Sequence, residues 1–338
     1  MKVGIVGGSG FLGLELLRLC AGHPELDVVA AMAATQAGEA AANRYPSLGA
    51  AYPELRFEPT AAEPLVGLDL VFFALPHGES QSLVPELVGK VGAIVDLAAD
   101  FRLTDPNVYM SWYGHKHSAP ELISSFTFGI PELYRDEIKG SHLVAAAGCY
   151  PTAAALVLAP LISAGLVSTD GVVVDAASGV SGAGSGVTRA NSFATVDEDF
   201  RAYGLLNHRH TPEMEQILGA SVLFTPHLAP MSRGILATCY ARLDRPGATT
   251  ADVLGALEGA YRTEPFVVVT EAPPSTKATA GSNCAHVSAV VDERTGWVVA
   301  MCALDNLMKG GSGQAMQCAN LVLGLPEQTG LPIAGVYP

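Results

Sequence analysis

The chain has 338 residues, 49% of them hydrophobic and 15% charged, which excludes a disordered chain and suits a large buried core. That length exceeds one ordinary core and points to two domains. With 19 Lys and Arg against 33 Asp and Glu, the net charge of -14 disfavours nucleic acid, anionic membrane surfaces and acidic protein partners. The six cysteines are scattered without a CxxC pair, and the chain opens on a strand-like run rather than a secretory-type leader. The expectation is therefore a reducing, cytoplasmic location.

In chain order, the apolar run at residues 2–6 enters Gly7-Gly8-Ser9-Gly10-Phe11-Leu12-Gly13, and residues 14–20 have the spacing of an amphipathic helix. Strand, glycine loop and helix are the context of a dinucleotide site. Gly7 would allow the tight turn, Gly10 the approach of a pyrophosphate and Gly13 close helix packing, with Ser9 and Phe11 in the same loop. The spacing is GxxGxxG rather than GxGxxG. A second strand at 26–32 ends without the Asp or Glu that takes a ribose 2′-hydroxyl. The neutral Ala33-Ala34-Thr35-Gln36 there favours NADP over NAD, with Thr35 as a contact, although no arginine clamp is visible close by. Buried strands at 68–75 and 93–95, separated by helical segments, imply a doubly wound parallel sheet. Its carboxyl ends carry His77, Asp96, Asp100 and Arg102. Arg102 could grip a phosphate bidentately or pair with a neighbouring aspartate.

The uncharged stretch 143–169 is long enough to span a bilayer, but Gly148, Pro151, Pro160 and Gly165 make it read as strand, turn and buried helix. Within it, Cys149 stands at the mouth of the helix, with Pro151 suited to the first turn. The positive end of a helix dipole lowers a thiol pKa, whereas an ordinary free cysteine is a small core residue. A strand at 172–177 leads into the small-residue loop 178–186. That loop is either a linker or a cradle of backbone amides for a cofactor, with Ser178, Gly179, Ser181 and Gly182 as its candidate groups. His208, Arg209 and His210 then cluster before Thr211, read as an N-cap, and Pro212. Imidazoles are the natural acid or base at neutral pH and a guanidinium suits an anionic substrate, while HxH alone is thin support for a metal. Residues 226–234 read as a connection between β-rich runs, adding His227 and Arg233. Strands at 235–243, 266–270, 285–291 and 297–304 and a helix at 251–261 give an α+β pattern. A third glycine-rich loop, 305–314, holds Asn306 and Gly310 and opens a last helix at 315–323.

Gly-Cys-Tyr-Pro-Thr at 148–152, His-Arg-His-Thr-Pro-Glu at 208–213 and Asn-Leu-Met-Lys-Gly-Gly-Ser-Gly-Gln-Ala at 306–315 together resemble, from end to end, the N-acetyl-γ-glutamyl-phosphate reductase family of arginine biosynthesis. The resemblance implies an NADP-binding Rossmann domain at 1–148, an α+β catalytic and dimerisation domain at 149–309, and a C-terminal helical segment, 310–338, packing back on the first domain. It makes Cys149 the nucleophile, Gly7, Gly10 and Gly13 the pyrophosphate site, and the chain a homo-oligomer, dimer or tetramer. In the related aspartate-semialdehyde dehydrogenases the catalytic histidine follows a glycine in an RVPVxxGH-like segment. Ile235 occupies that place here, so His208 or His210 must serve, and the helix start favours His210. Arg102, Arg209, Ser181 and His227 are the substrate-binding candidates, the substrate being a small acyl phosphate reduced through a Cys149 thioester, with no metal. The competing readings are a lysine-pathway homologue with a carrier-bound substrate, disfavoured by the net charge of -14, an aspartate-semialdehyde dehydrogenase, a cysteine hydrolase or acyltransferase, and an NADP-binding sensor.

Overall fold

Strand β1 (Lys2–Val6) is buried after its first residue, as a central strand covered on both faces must be. It is followed by α1 (Phe11–Ala21), β2 (Asp27–Met32), the single turn α2 (Ala41–Arg44), β3 (Leu70–Phe73), α3 (Ser80–Leu87), β4 (Ala93–Asp96), α4 (Pro106–Tyr113), β5 (Thr127–Gly129), α5 (Pro131–Lys139) and β6 (Leu143–Ala146). The computed structural model describes residues 1–337, and these elements form most of the first of two compact units, Met1–Ala147 with Gly311–Leu331. All six strands are parallel, in the order β2-β1-β3-β4-β6-β5. The order reverses at β1, and a ligand enters such a sheet at the carboxyl ends beside the reversal. Strands β3 and β4 are buried at every position, and Val6, Met32, Phe73 and Ile94 share one core cluster.

The uncharged stretch resolves into β6, a short turn and α6 (Cys149–Ser163), which opens the second unit, Gly148–Gly310 with the segment from Pro332 onward. Among the described residues no helix is long and apolar enough to cross a membrane. The unit continues with β7 (Val172–Ser178), α7 (Phe193–Val196), β8 (Arg201–Ala202), α8 (Thr211–Leu218), β9 (Val222–Leu228), β10 (Ile235–Arg242), α9 (Thr250–Tyr261), β11 (Val267–Val269), α10 (Thr276–Thr279), β12 (Ala285–Asp292) and β13 (Trp297–Leu304). Its mixed sheet has the order β11-β12-β13-β10-β7-β9-β8. Residues of β7 and β10 alternate between buried and half-exposed, so one face lies under α6 and α9 while the other is open.

Two expectations are corrected. Pro226, His227 and Leu228 lie inside β9, in register with Ala176, Ala177 and Ser178 of β7, rather than in a connection. Proline is tolerated because the strand on its other side, β8, pairs only at Leu228 and His227. The last helix, α11 (Gly313–Val322), begins two residues earlier than its spacing suggested, after a wide turn over Met308–Ser312 in which Gly310 N–H donates to Asp305 O at 2.9 Å. It belongs to the first unit and packs against α5, β4 and α1.

Candidate active site

Gly148 is the extended N-cap of α6 and Cys149 its first residue. Thr152 closes the first turn by donating from both its N–H and its Oγ1 to Gly148 O, each at 2.9 Å. The next nine residues, Tyr150 to Leu158, are all buried, which leaves Cys149 on the partly open first turn. The other five cysteines are buried, and burial pushes the thiol of Cys20 up to about 12 and raises those of Cys239 and Cys302 as well. Among the six, only Cys149 combines access with a helix N-terminus.

Helix α8 brings the histidines to this turn. Glu213, in the first turn of α8 and 1% exposed, accepts the Gly148 N–H on Oε1 at 2.6 Å. The cap position is taken by His210 rather than Thr211, and its imidazole packs on Gly148: a Cβ built there would lie 2.6 Å from Nε2. The His208 ring lies 4.9 Å from that of His210 and is enclosed by Tyr150, Tyr203 and Phe224 at centroid distances of 5.5, 5.6 and 5.2 Å. Burial, with the neighbouring Arg209 charge, pushes its pKa down to about 4. Its Nδ1 accepts the His210 backbone N–H at 3.1 Å, which fixes a neutral ring with its proton on Nε2.

Three loops meet at one end of the second sheet, where Ser178, Ile235 and Leu304 are in register. Gly179 N–H donates to Gly234 O, and Val180 and Ser181 N–H donate to Met231 O and Ser232 O. Asn306 joins the set, accepting Gly234 N–H on Oδ1 at 2.7 Å and donating from Nδ2 to Ser181 Oγ at 2.9 Å. A side chain on Gly182 would press on Ser178 Oγ, and one on Gly310 would come within 2.8 Å of Cys149 Cβ. The structure thus gathers Ser178, Gly179, Ser181, Gly182, Asn306 and Gly310 in one region, with Gly310 against the cysteine.

In the first unit, Gly7 has φ +89°, and a Cβ on Gly7 or Gly13 would collide with backbone of Ala74 or of Gly7 and Gly8. The loop therefore admits only glycine at both places, and Gly10 caps α1 with backbone alone, a cradle that fits a dinucleotide pyrophosphate. Thr35 is exposed beyond β2. Arg102 is buried and donates from Nη2 to Leu97 O at 2.6 Å, while Ser80 Oγ sits 2.9 Å from a carboxylate oxygen of both Asp96 and Asp100. Burial, reinforced by the Asp100 charge, pushes Asp96 up to about 8. No group of three or more His, Cys, Asp or Glu suited to a cation occurs among the described residues.

Residues 2–141 match the model of the semialdehyde dehydrogenase NAD binding domain, and residues 149–306 that of the semialdehyde dehydrogenase dimerisation domain. The whole chain is 47% identical to the N-acetyl-γ-glutamyl-phosphate reductase of Symbiobacterium thermophilum, covering 99% of that protein, and 43% identical to that of Desulforamulus reducens, covering all of it. The chain belongs to the N-acetyl-γ-glutamyl-phosphate reductase family. In fold it is similar to aspartate semialdehyde dehydrogenase II of Vibrio cholerae, with TM-score 0.70 and 15% identity over 96% of this chain and 98% of that one.

In this member of the reductase family, two of the expected substrate-binding groups are placed differently from the rest. Arg209 is exposed between the two histidines. His227 alternates with Phe224 and Pro226 along β9, so its ring leaves the face carrying α6 and stacks on Phe200 at 5.2 Å; only its carbonyl turns inward, accepting Tyr150 OH at 3.2 Å. The structure does not bring the His227 imidazole to Cys149. It also supplies groups that sequence reasoning missed. Glu213 stood in a named motif without a role. Tyr203, whose hydroxyl meets that of Tyr150 at 3.1 Å, carried no local signal, and neither did Arg44, which donates from Nε to Ser9 O at 3.0 Å.

Proposed function

We propose that the chain reduces N-acetyl-γ-glutamyl phosphate to N-acetylglutamate semialdehyde and phosphate in arginine biosynthesis, in the cytoplasm. The observation that carries this reading is the His210 imidazole packed on Gly148, immediately before a partly exposed Cys149 at a helix N-terminus. Membership of the reductase family supports the choice of substrate.

His210 accepts the Cys149 thiol proton, and the thiolate attacks the acyl carbon, expelling inorganic phosphate and leaving a thioester. Gly7, Ser9, Gly10, Phe11 and Gly13 of the first loop, with Thr35, would hold NADPH, which when bound would supply the hydride that the thioester carbonyl carbon accepts. Collapse of the thiohemiacetal oxyanion breaks the carbon–sulfur bond, releases the aldehyde and restores the thiolate. Arg209 serves the carboxylate of the substrate, with Ser181 as a polar contact. His208 stays neutral and holds the His210 backbone.

The chain assembles as a homo-oligomer through the open face of the second sheet, where Leu236 and Tyr240 of β10 and Val299 and Met301 of β13 remain half-exposed. The deciding assay follows phosphate-dependent NADP reduction with free N-acetylglutamate semialdehyde. Turnover by the wild type and none by Cys149→Ala is the expected result. Activity retained in Cys149→Ala would overturn the thioester route, and no wild-type turnover with the free substrate would favour a carrier-bound one.

A further inference from the structure

The neutral end of β2 explains why a 2′-phosphate is not repelled, but not what attracts it. The chain's net charge of -14 makes the question sharper, because the long-range field opposes a cofactor with an extra dianionic group. A local cation is required, and the residues immediately after β2 contain none.

Helix α2 supplies one. Its last residue, Arg44, reaches back to the first glycine loop and donates from Nε to Ser9 O at 3.0 Å, beside Tyr45, whose hydroxyl donates to the same carbonyl at 2.6 Å. Ser9 in turn donates from Oγ to Gln36 Oε1 at 2.8 Å, tying the glycine loop to the segment that follows β2. The guanidinium is thus fixed by its Nε edge over the junction of the pyrophosphate loop and the ribose-side segment. Among the described residues its two terminal nitrogens make no hydrogen bond; Nη1 lies 3.8 Å from Glu39 Oε2, an ion-pair distance only, and the side chain is 28% exposed. A planar fork anchored by one edge and open at the other is the form in which arginine takes a phosphate bidentately.

We propose that Arg44 is the residue that selects NADP over NAD, with its terminal nitrogens on the 2′-phosphate and with Tyr45 and Ser9 holding the guanidinium in place. The inference rests on reading the first glycine loop as the nucleotide site. It goes beyond that reading by naming a determinant that no glycine or small residue of the loop can provide. Glu39 is its counterweight: the carboxylate keeps Arg44 near the site without a hydrogen bond to it and competes for the same nitrogens once phosphate arrives.

The test is binding of NADP⁺ and NAD⁺, measured by calorimetry on the wild type, Arg44→Ala and Glu39→Gln. Losing a charge-assisted contact predicts NADP⁺ binding weakened by roughly 10-fold to 100-fold in Arg44→Ala, with NAD⁺ binding changed less than about twofold. Glu39→Gln is expected to tighten NADP⁺ alone. Equal loss of both dinucleotides in Arg44→Ala would show that Arg44 only braces Ser9, and an unchanged NADP⁺ to NAD⁺ ratio would remove it from the site; either result overturns the proposal. Wild-type protein that binds neither dinucleotide would overturn the nucleotide reading itself, a failure separate from that of Arg44.

Discussion

His210 Nε2 lies 2.6 Å from the point at which a Cβ on Gly148 would stand, and both neighbouring ring carbons lie 2.9 Å from it. The imidazole fills the space that the glycine leaves open, so the residue before Cys149 and the proposed base are shaped to each other. Gly148 has φ -69°, which alanine adopts freely, so backbone strain does not enter. Gly148→Ala therefore tests the ring contact alone. Overpacking of this kind costs about 1–3 kcal/mol, and the ring must swing away. The expected outcome is a folded protein whose Cys149 still reacts with iodoacetamide while kcat falls by at least ~100-fold. Wild-type kcat would remove His210 from the proton transfer.

The two histidines should separate cleanly. His210→Asn is expected to lose roughly 10²- to 10⁴-fold in kcat, the usual weight of a positioned acid or base. His208→Asn keeps an acceptor near Nδ1 for the His210 N–H and should lose far less. Its stability signature is distinct. The His208 pKa is about 4 in the folded chain against 6.5 unfolded, so the contribution of this group is present above pH 6.5 and is lost as pH falls towards 4. His208→Asn should flatten that part of a Tm against pH curve. A normal rate in His210→Asn with a large loss in His208→Asn would reverse the assignment.

The groups legible in the sequence are those whose chemistry is local. Gly7 is required by its own φ of +89° and Gly13 by the backbone of Gly7 and Gly8, and Cys149 is defined by the strand and helix on either side of it. Arg44, Tyr203 and Glu213 act across 35, 53 and 65 residues on Ser9, Tyr150 and Gly148, and no spacing rule reaches that far. Residues 226–228, read as part of a connection, belong to β9: the short β8 leaves that strand nearly an edge, where proline is permitted, and alternation sends the His227 imidazole to the other face. The helix start already favoured His210, whereas the enclosure of His208 by Tyr150, Tyr203 and Phe224 is purely tertiary.

Asp96 and Asp100 both approach Ser80 Oγ at 2.9 Å, yet a hydroxyl has one proton to give. Both contacts are satisfied when Asp96 is protonated and donates to Ser80, which donates to Asp100; the pKa of about 8 for Asp96 accords with this. Because that value stands above the unfolded 3.8, the folded chain holds a proton that the unfolded chain has released, and stability falls as pH rises from about 4 to 8, by up to ~1.4 kcal/mol per pH unit. Asp96→Asn reproduces the protonated pattern, with its amide N–H in place of the acid O–H. It should match the wild type at pH 5 and exceed it in Tm at pH 8.5. A variant less stable than the wild type at both pH values would show that Asp96 is ionised.

Glu213 binds the Gly148 N–H at 2.6 Å while His210 caps its helix, so one carboxylate ties the turn of the proposed nucleophile to the proposed base. Removing the acceptor leaves a buried N–H without its partner, a loss of about 1–3 kcal/mol. Glu213→Ala should therefore lower Tm and also slow both turnover and Cys149 alkylation, because the turn and α8 lose their common anchor. Glu213→Gln presents an amide oxygen where Oε1 stands and should restore Tm and most of the rate. If the clamp is what matters, alkylation rate against pH will be shifted in the alanine variant and close to wild type in the glutamine one. Equal impairment of the two variants would mean that the charge of Glu213, and not its hydrogen bond to Gly148, governs the thiol.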